Sequence, residues 1–75
     1  MKKAELKELY QMMFPEYPDI VTVRQLQEML DVSRAIAYKL IGDGYIPAVK
    51  IAGAFKISKV NVINFVMEEG ERRAG

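Results

Sequence analysis

The side chains with chemistry to offer are cations, and they are concentrated in one stretch. Residues 20–59 carry Arg24, Arg34, Lys39, Lys50, Lys56 and Lys59 against Glu28, Asp31 and Asp43, six basic against three acidic, net +3. Residues 1–19 hold three lysines against four acids and residues 60–75 two arginines against three acids, so each flank is −1 and the whole chain only +1. Clustered cations suit phosphate and the edges of bases. Arginine can bond guanine with two donors, whereas lysine and tyrosine are better suited to phosphate oxygens, which fix register without reading sequence. Bond-making chemistry is not on offer. The chain has no His, no Cys and no glycine-rich phosphate loop, and no carboxylate pair sits in an apolar context that would shift its pKa. Glu68, Glu69 and Glu71 read as a solvated helix end. We therefore read the chain as non-enzymatic, with no metal and no other cofactor.

The elements that must position these cations are marked by local signals. Thr22 stands one residue before an apolar-periodic run, and Thr22-x-x-Gln25 is a capping box, with Val21 and Leu26 placed as a hydrophobic staple. This predicts a helix over about 23–30 that buries Val23, Leu26 and Leu30. Ser33 caps a second helix over about 34–41, which buries Ala37, Leu40 and Ile41 and ends at Gly42-Asp43-Gly44, where glycine can turn left-handed. Only Asp31-Val32-Ser33 separates the two helices, which forces a sharp change of direction. Val49-Lys50-Ile51 and Phe55-Lys56-Ile57 then alternate around Ala52-Gly53-Ala54 and predict a hairpin. In the register expected from alternation, Ile51 pairs with Phe55 and Val49 with Ile57 on the inward face, so Lys50 opposes Lys56 on the outward face. Opposed like charges are destabilising. A polyanion along the hairpin would remove that cost, and lysines that merely decorate a surface are the other reading. Ser58 is the expected cap of a last helix over about 59–69, with Ile57 and Val62 as its staple and Val62, Ile63, Val66 and Met67 inward.

Helix, three-residue turn and helix, followed by a hairpin wing, make the winged helix-turn-helix plan, whose second helix is shaped to enter a major groove. From Thr22 to about Val66 the chain resembles the excisionase-type winged helix-turn-helix family, relatives of the MerR DNA-binding domain. The resemblance rests on Thr22-Val23, on Leu30-Asp31-Val32-Ser33-Arg34 at the turn and on Tyr38-Lys39-Leu40-Ile41 in the second helix. Gly44-Tyr45-Ile46-Pro47-Ala48-Val49-Lys50-Ile51 and Phe55-Lys56-Ile57-Ser58 complete it. It covers about 45 of the 75 residues. It implies a small protein that binds tandem sites on duplex DNA, bends it, and assists a tyrosine-type integrase in excising a mobile element, or that regulates transcription on such an element. The partners it implies are double-stranded DNA, and an integrase of that type or copies of this chain on adjacent sites.

Subtracting the buried positions of the second helix leaves Arg34, Ala35, Tyr38 and Lys39 facing outward. With Ser33, Arg24, Lys50, Lys56 and the backbone N–H of Gly53 they form the candidate DNA-binding set. Arg34 has three readings: a guanine contact, a phosphate contact, or a solvated turn residue. Tyr38 either reaches phosphate or lies on the core. The family pattern predicts a polar residue, often threonine, at Ile36, serine or arginine at Ala35, and arginine near Ala54. This chain has Ala35-Ile36-Ala37 and an alanine-rich wing tip. Ala35 or Ile36 can touch a thymine methyl, or Ile36 can pack against the N-terminal helix. Direct readout is thin, so specificity falls to DNA deformability, adjacent sites or a protein partner.

Fold class is therefore mainly α with a small β-hairpin wing, plus an extra N-terminal helix. Leu6, Leu9, Tyr10 and Met13 give that helix, over about 3–14, an apolar stripe. Pro15-Glu16-Tyr17-Pro18 follows as an extended linker. The expected organisation is 1–18 for this helix and linker, 19–69 for the winged module and 70–75 for a flexible tail. The N-terminal stripe packs on its own domain or on a second protein. With 75 residues and no Cys or His, stability must come from apolar packing, for which 51 % hydrophobic residues are available, or from self-association. No apolar run approaches the roughly 20 residues that span a bilayer, so a soluble cytoplasmic protein without a membrane partner is expected. The rival functional class is a protein-interaction module that keeps the winged scaffold without binding DNA.

Overall fold

The computed structural model describes residue 8 and residues 11–74, with side chains up to residue 70. Its elements are β1 (Ile20–Val21), α1 (Val23–Leu30), α2 (Arg34–Gly42), β2 (Val49–Ile51), β3 (Ala54–Ser58) and α3 (Lys59–Ala74). The arrangement is a winged helix-turn-helix, mainly helical with a small antiparallel sheet ordered β1-β3-β2.

Local chemistry explains both motif helices. The Gln25 N–H donates to Thr22 Oγ1 at 3.2 Å and the Thr22 N–H to Gln25 Oε1 at 2.9 Å, which closes the capping box. α1 ends at Asp31, left-handed at φ 54. Ser33 then restarts the helix, its Oγ accepting from the Ile36 N–H at 3.2 Å. α2 runs one residue beyond its expected end, to Gly42. Gly44 takes φ 83, and the N–H of Tyr45 returns to the Leu40 carbonyl at 3.0 Å.

Val21, Leu26, Ala37, Ile46, Ile57 and Val62 form one fully buried cluster, with Leu40, Ile41, Phe55 and Phe65 packed around it. Every element but β2 contributes, so the angle between α1, α2 and the β3 strand of the wing is set by packing. α3 buries Val62 and Ile63 completely. Phe65 also packs inward, its ring 6.5 Å from that of Tyr45.

Several expectations need correction. The hairpin pairs Val49 with Lys56, Lys50 with Phe55 and Ile51 with Ala54, one residue away from the expected register. Its loop is only Ala52-Gly53, at φ 52 and 82, the double positive φ of a type I′ turn. That turn carries the same twist as the strands it joins. A one-residue slip exchanges faces. Lys50 now shares the inward face with Phe55, while Val49 and Ile51 lie outward with Lys56, 61 % and 54 % exposed. Lys50 and Lys56 are not opposed, and the repulsion that favoured a polyanion disappears.

Strand β1 was not expected; two residues are too few to show a period. It pairs Val21 with Ile57 and Ile20 with Ser58. Ser58 thus closes β3, and the first N–H of α3, from Lys59, goes to the Asp19 carbonyl at 2.7 Å. α3 continues to Ala74, past the expected end at 69 and through the expected tail. The linker before the motif is a turn, not extended chain. The Tyr17 N–H donates to the Phe14 carbonyl at 3.1 Å, with Pro15 and Glu16 between them. Of the N-terminal helix, Glu8, Gln11 and Met12 are helical, and Phe14 at φ 51 is already outside it. Leu6, Leu9 and Tyr10, most of its expected stripe, fall outside the described residues. Among the described residues no helix is long and apolar enough to cross a membrane.

Candidate nucleic-acid interface

The Ser33 cap makes Arg34 the first residue of α2, and 100° of rotation per residue distributes the remainder. Ala37, Leu40 and Ile41 face the core. Ala35, Lys39 and Gly42 lie on the opposite, exposed side. Two of these three are small, so the helix backbone can approach a groove floor closely, with Lys39 its long outward side chain. Arg34 and Tyr38 occupy the flank beside the wing, and Ile36, 44 % exposed, occupies the other flank.

The wing completes the arrangement through its register. Because Lys50 lies directly across from Phe55, its Nζ stands 5.7 Å from the centre of the Phe55 ring. The Phe55 ring meets that of Tyr38 edge-on, with centroids 6.0 Å apart. The Arg34 guanidinium lies 5.5 Å from the Tyr38 ring centre. Cation, ring, ring and cation thus run without interruption from the start of α2 to the wing.

Between these two elements and the start of α1 opens a cleft of about 560 Å³ lined by Arg24, Gln27, Arg34, Tyr38, Gly53 and Phe55, among others. Arg24 is close to fully exposed and meets Glu28 only at 4.0 Å, the outer limit of an ion pair. Such surface pairs contribute little, so its charge remains open to an anion. Gly53 stands at the tip of the wing, left-handed at φ 82.

The structure therefore brings Arg24, Arg34, Tyr38 and Gly53 to one cleft, with Lys50 at its wing side. Ala35 and Lys39 lie next to it on the outward side of α2. The Ser33 hydroxyl is engaged as a cap and presents the helix start. Lys56 is not part of this face. It projects from the other side of the sheet, beside Ile20, Val49 and Ile51. Lys59, counted above in the basic surplus, is also elsewhere, its Nζ donating to the carbonyls of Tyr17 and Phe14 at 3.0 and 3.4 Å.

Gln27 and Phe55 were missed as site residues. Gln27 falls on the α1 flank that faces α2 and reads from sequence as one more polar helix position. Phe55 reads as core, and its second role is visible only once Lys50 is known to oppose it.

A family described as helix-turn-helix domain, of excisionase-like DNA-binding domains, matches residues 20–69, two thirds of the chain. The chain belongs to this family. No curated protein and no solved structure matches it. In a helix-turn-helix domain the second motif helix is the one that enters the major groove. The second motif helix here is α2, which carries Arg34, Ala35, Tyr38 and Lys39, and β2-β3 is the wing beside it.

Proposed function

We propose that this helix-turn-helix protein binds duplex DNA with α2 in the major groove and the 49–57 wing on the backbone or minor groove. Arg34 and Lys39 on α2, Lys50 and the Gly53 N–H on the wing, and Arg24 at the start of α1 take phosphates or base edges, with Ala35 against the groove floor. The observation that carries this reading is the cleft that gathers Arg24, Arg34, Tyr38 and Gly53 between three elements of a helix-turn-helix chain. Phosphate contacts from the elements beside a recognition helix fix its register and orientation in the groove.

The biological role proposed is that of a small excisionase-type protein in the cytoplasm, assisting site-specific recombination or regulating transcription on a mobile element. Few base-reading side chains line the recognition helix, which favours tandem sites or a second protein on the DNA. A tyrosine-type integrase or another copy of this chain fits that need. A protein-interaction role without DNA binding is favoured by one observation, the exposed Ile20, Val49 and Ile51 on the outer sheet face.

Fluorescence anisotropy of a labelled mixed-sequence duplex, titrated at several salt concentrations, separates the two. Counterion release gives a log–log salt slope of about −0.9 per phosphate contact. Binding that weakens steeply with salt supports the DNA reading. No binding at low salt removes it and leaves the protein-interaction reading.

A further inference from the structure

We infer that Phe55 is a positioning residue for DNA contact, holding Lys50 of the wing and the Tyr38–Arg34 pair of α2 as one preformed clamp for two phosphates. The inference rests on the DNA-binding reading above and names the residue that sets the spacing of its cations.

Arg34 and Lys50 belong to different elements, separated by sequence and joined by no hydrogen bond or ion pair among the described residues. What joins them is aromatic. Lys50 Nζ is 5.7 Å from the Phe55 ring centre, the Phe55 and Tyr38 rings meet edge-on at 6.0 Å, and the Arg34 guanidinium is 5.5 Å from the Tyr38 ring centre. Phe55 is half-buried and anchored in the core cluster, whereas Tyr38 is 39 % exposed. The row is therefore fixed at Phe55 and passes outward in both directions to a cation. A cation over a ring face is held by the ring quadrupole and spends none of its N–H donors. The donors of Arg34 and Lys50 thus stay available to phosphate oxygens while their long side chains are already restricted. Ordering such side chains is part of the cost of binding, and ordering them in the free protein removes that part. The edge-on contact also sets how far the wing stands from the recognition helix, the dimension that must match a groove and its flanking backbone.

The test is binding of a labelled mixed-sequence duplex by the full chain and by Phe55→Leu, Phe55→Tyr, Lys50→Gln and the Phe55→Leu/Lys50→Gln double variant, with thermal unfolding of each. Phe55→Leu keeps an apolar side chain of somewhat smaller volume and removes the ring. It is expected to weaken binding about 3- to 10-fold at equal fraction folded and to reduce the salt slope. Phe55→Tyr is expected to bind as the parent does, and Phe55→Leu to have little further effect once Lys50 is Gln. Equal losses in both Lys50 backgrounds, equal weakness of the Leu and Tyr variants, or parent-like binding by Phe55→Leu would overturn the inference while leaving DNA binding intact. If Phe55→Leu does not fold, Tyr38→Leu cuts the same row at its exposed joint and must weaken binding in the same way. Absence of salt-dependent binding by the parent chain overturns the DNA-binding reading and this inference with it.

Discussion

Lys59 Nζ donates to the main-chain carbonyl of Tyr17 at 3.0 Å, and at 3.4 Å to that of Phe14. With the Lys59 N–H on the Asp19 carbonyl, the first residue of α3 holds both ends of the turn that precedes the motif. A half-buried ammonium that satisfies two carbonyls also limits what replaces it. Lys59→Met keeps the stem and leaves both acceptors without this donor. It is expected to cost about 1–2 kcal/mol and to lower Tm by roughly 5–15 °C, read by circular dichroism. Its effect on DNA affinity should be small, because this charge is away from the cleft. An unchanged Tm would mean that the turn is not held from α3.

The wing tip makes a prediction of opposite sign. Ala52 takes φ 52, a left-handed conformation that costs an alanine about 1 kcal/mol. Asparagine accepts that region readily, and Asn-Gly is the preferred pair of a type I′ turn. Ala52→Asn should raise stability by about 0.5–1 kcal/mol, whereas Gly53→Val, at φ 82, should lower it by at least as much. Thermal unfolding of the two variants checks both signs together. The three-residue loop of the other register predicts no such pair.

That hairpin also marks where sequence ceases to be legible. Thr22 with Gln25, Ser33, and Gly44 announce α1 and α2 because each signal is a side chain or a glycine acting on backbone within four residues. Their cores follow from spacing alone. The register is different. Ala52-Gly53 and Ala52-Gly53-Ala54 are both plausible loops, and alternation favours the longer one, which would put Val49, Ile51, Phe55 and Ile57 on one face; the left-handed pair Ala52-Gly53 sets the shorter one instead. Lys59 to Tyr17, Tyr38 to Phe55 and Tyr45 to Phe65 are contacts over long stretches of chain, which no periodicity reports. Of the residues the sequence nominates, Arg24, Arg34, Tyr38 and Gly53 line one cleft. The geometry of the wing beside it was not legible, because the placement of Lys50 with Phe55 and of Lys56 on the opposite face depends on one residue of register.

Tyr17 gives the pH prediction. Its hydroxyl donates to Glu28 Oε1 at 3.3 Å, and burial, then the Glu28 charge and that hydrogen bond, hold its phenol above the ordinary value of 10.0. The folded state therefore keeps this proton more tightly than the unfolded chain does. The contribution is complete below pH 10 and is lost as pH rises through the higher folded value. Tyr17→Phe removes the titrating group, so its stability should fall less between neutral and strongly alkaline pH than that of the parent. Denaturant unfolding across that range checks it. Identical alkaline losses would contradict the assignment.

One arginine and one lysine variant separate the cleft from the outer face of the sheet. Arg34→Ala removes a cation from the cleft and should reduce the salt slope of duplex binding by about 0.9. Lys56→Ala removes the same charge from the other side of the sheet and should leave that slope unchanged. Anisotropy titrations at four or more salt concentrations resolve the difference. Equal effects would mean that total charge, not the face that carries it, controls binding.

The most direct test of the account is amide chemical-shift mapping of the isotopically labelled chain with a short duplex at low salt. The account predicts shifts concentrated at residues 33–39 of α2, 50–55 of the wing and 22–27 at the start of α1. Shifts confined to Ile20, Val49, Ile51 and Lys56 on the outer sheet face, or no shifts at all, would contradict it.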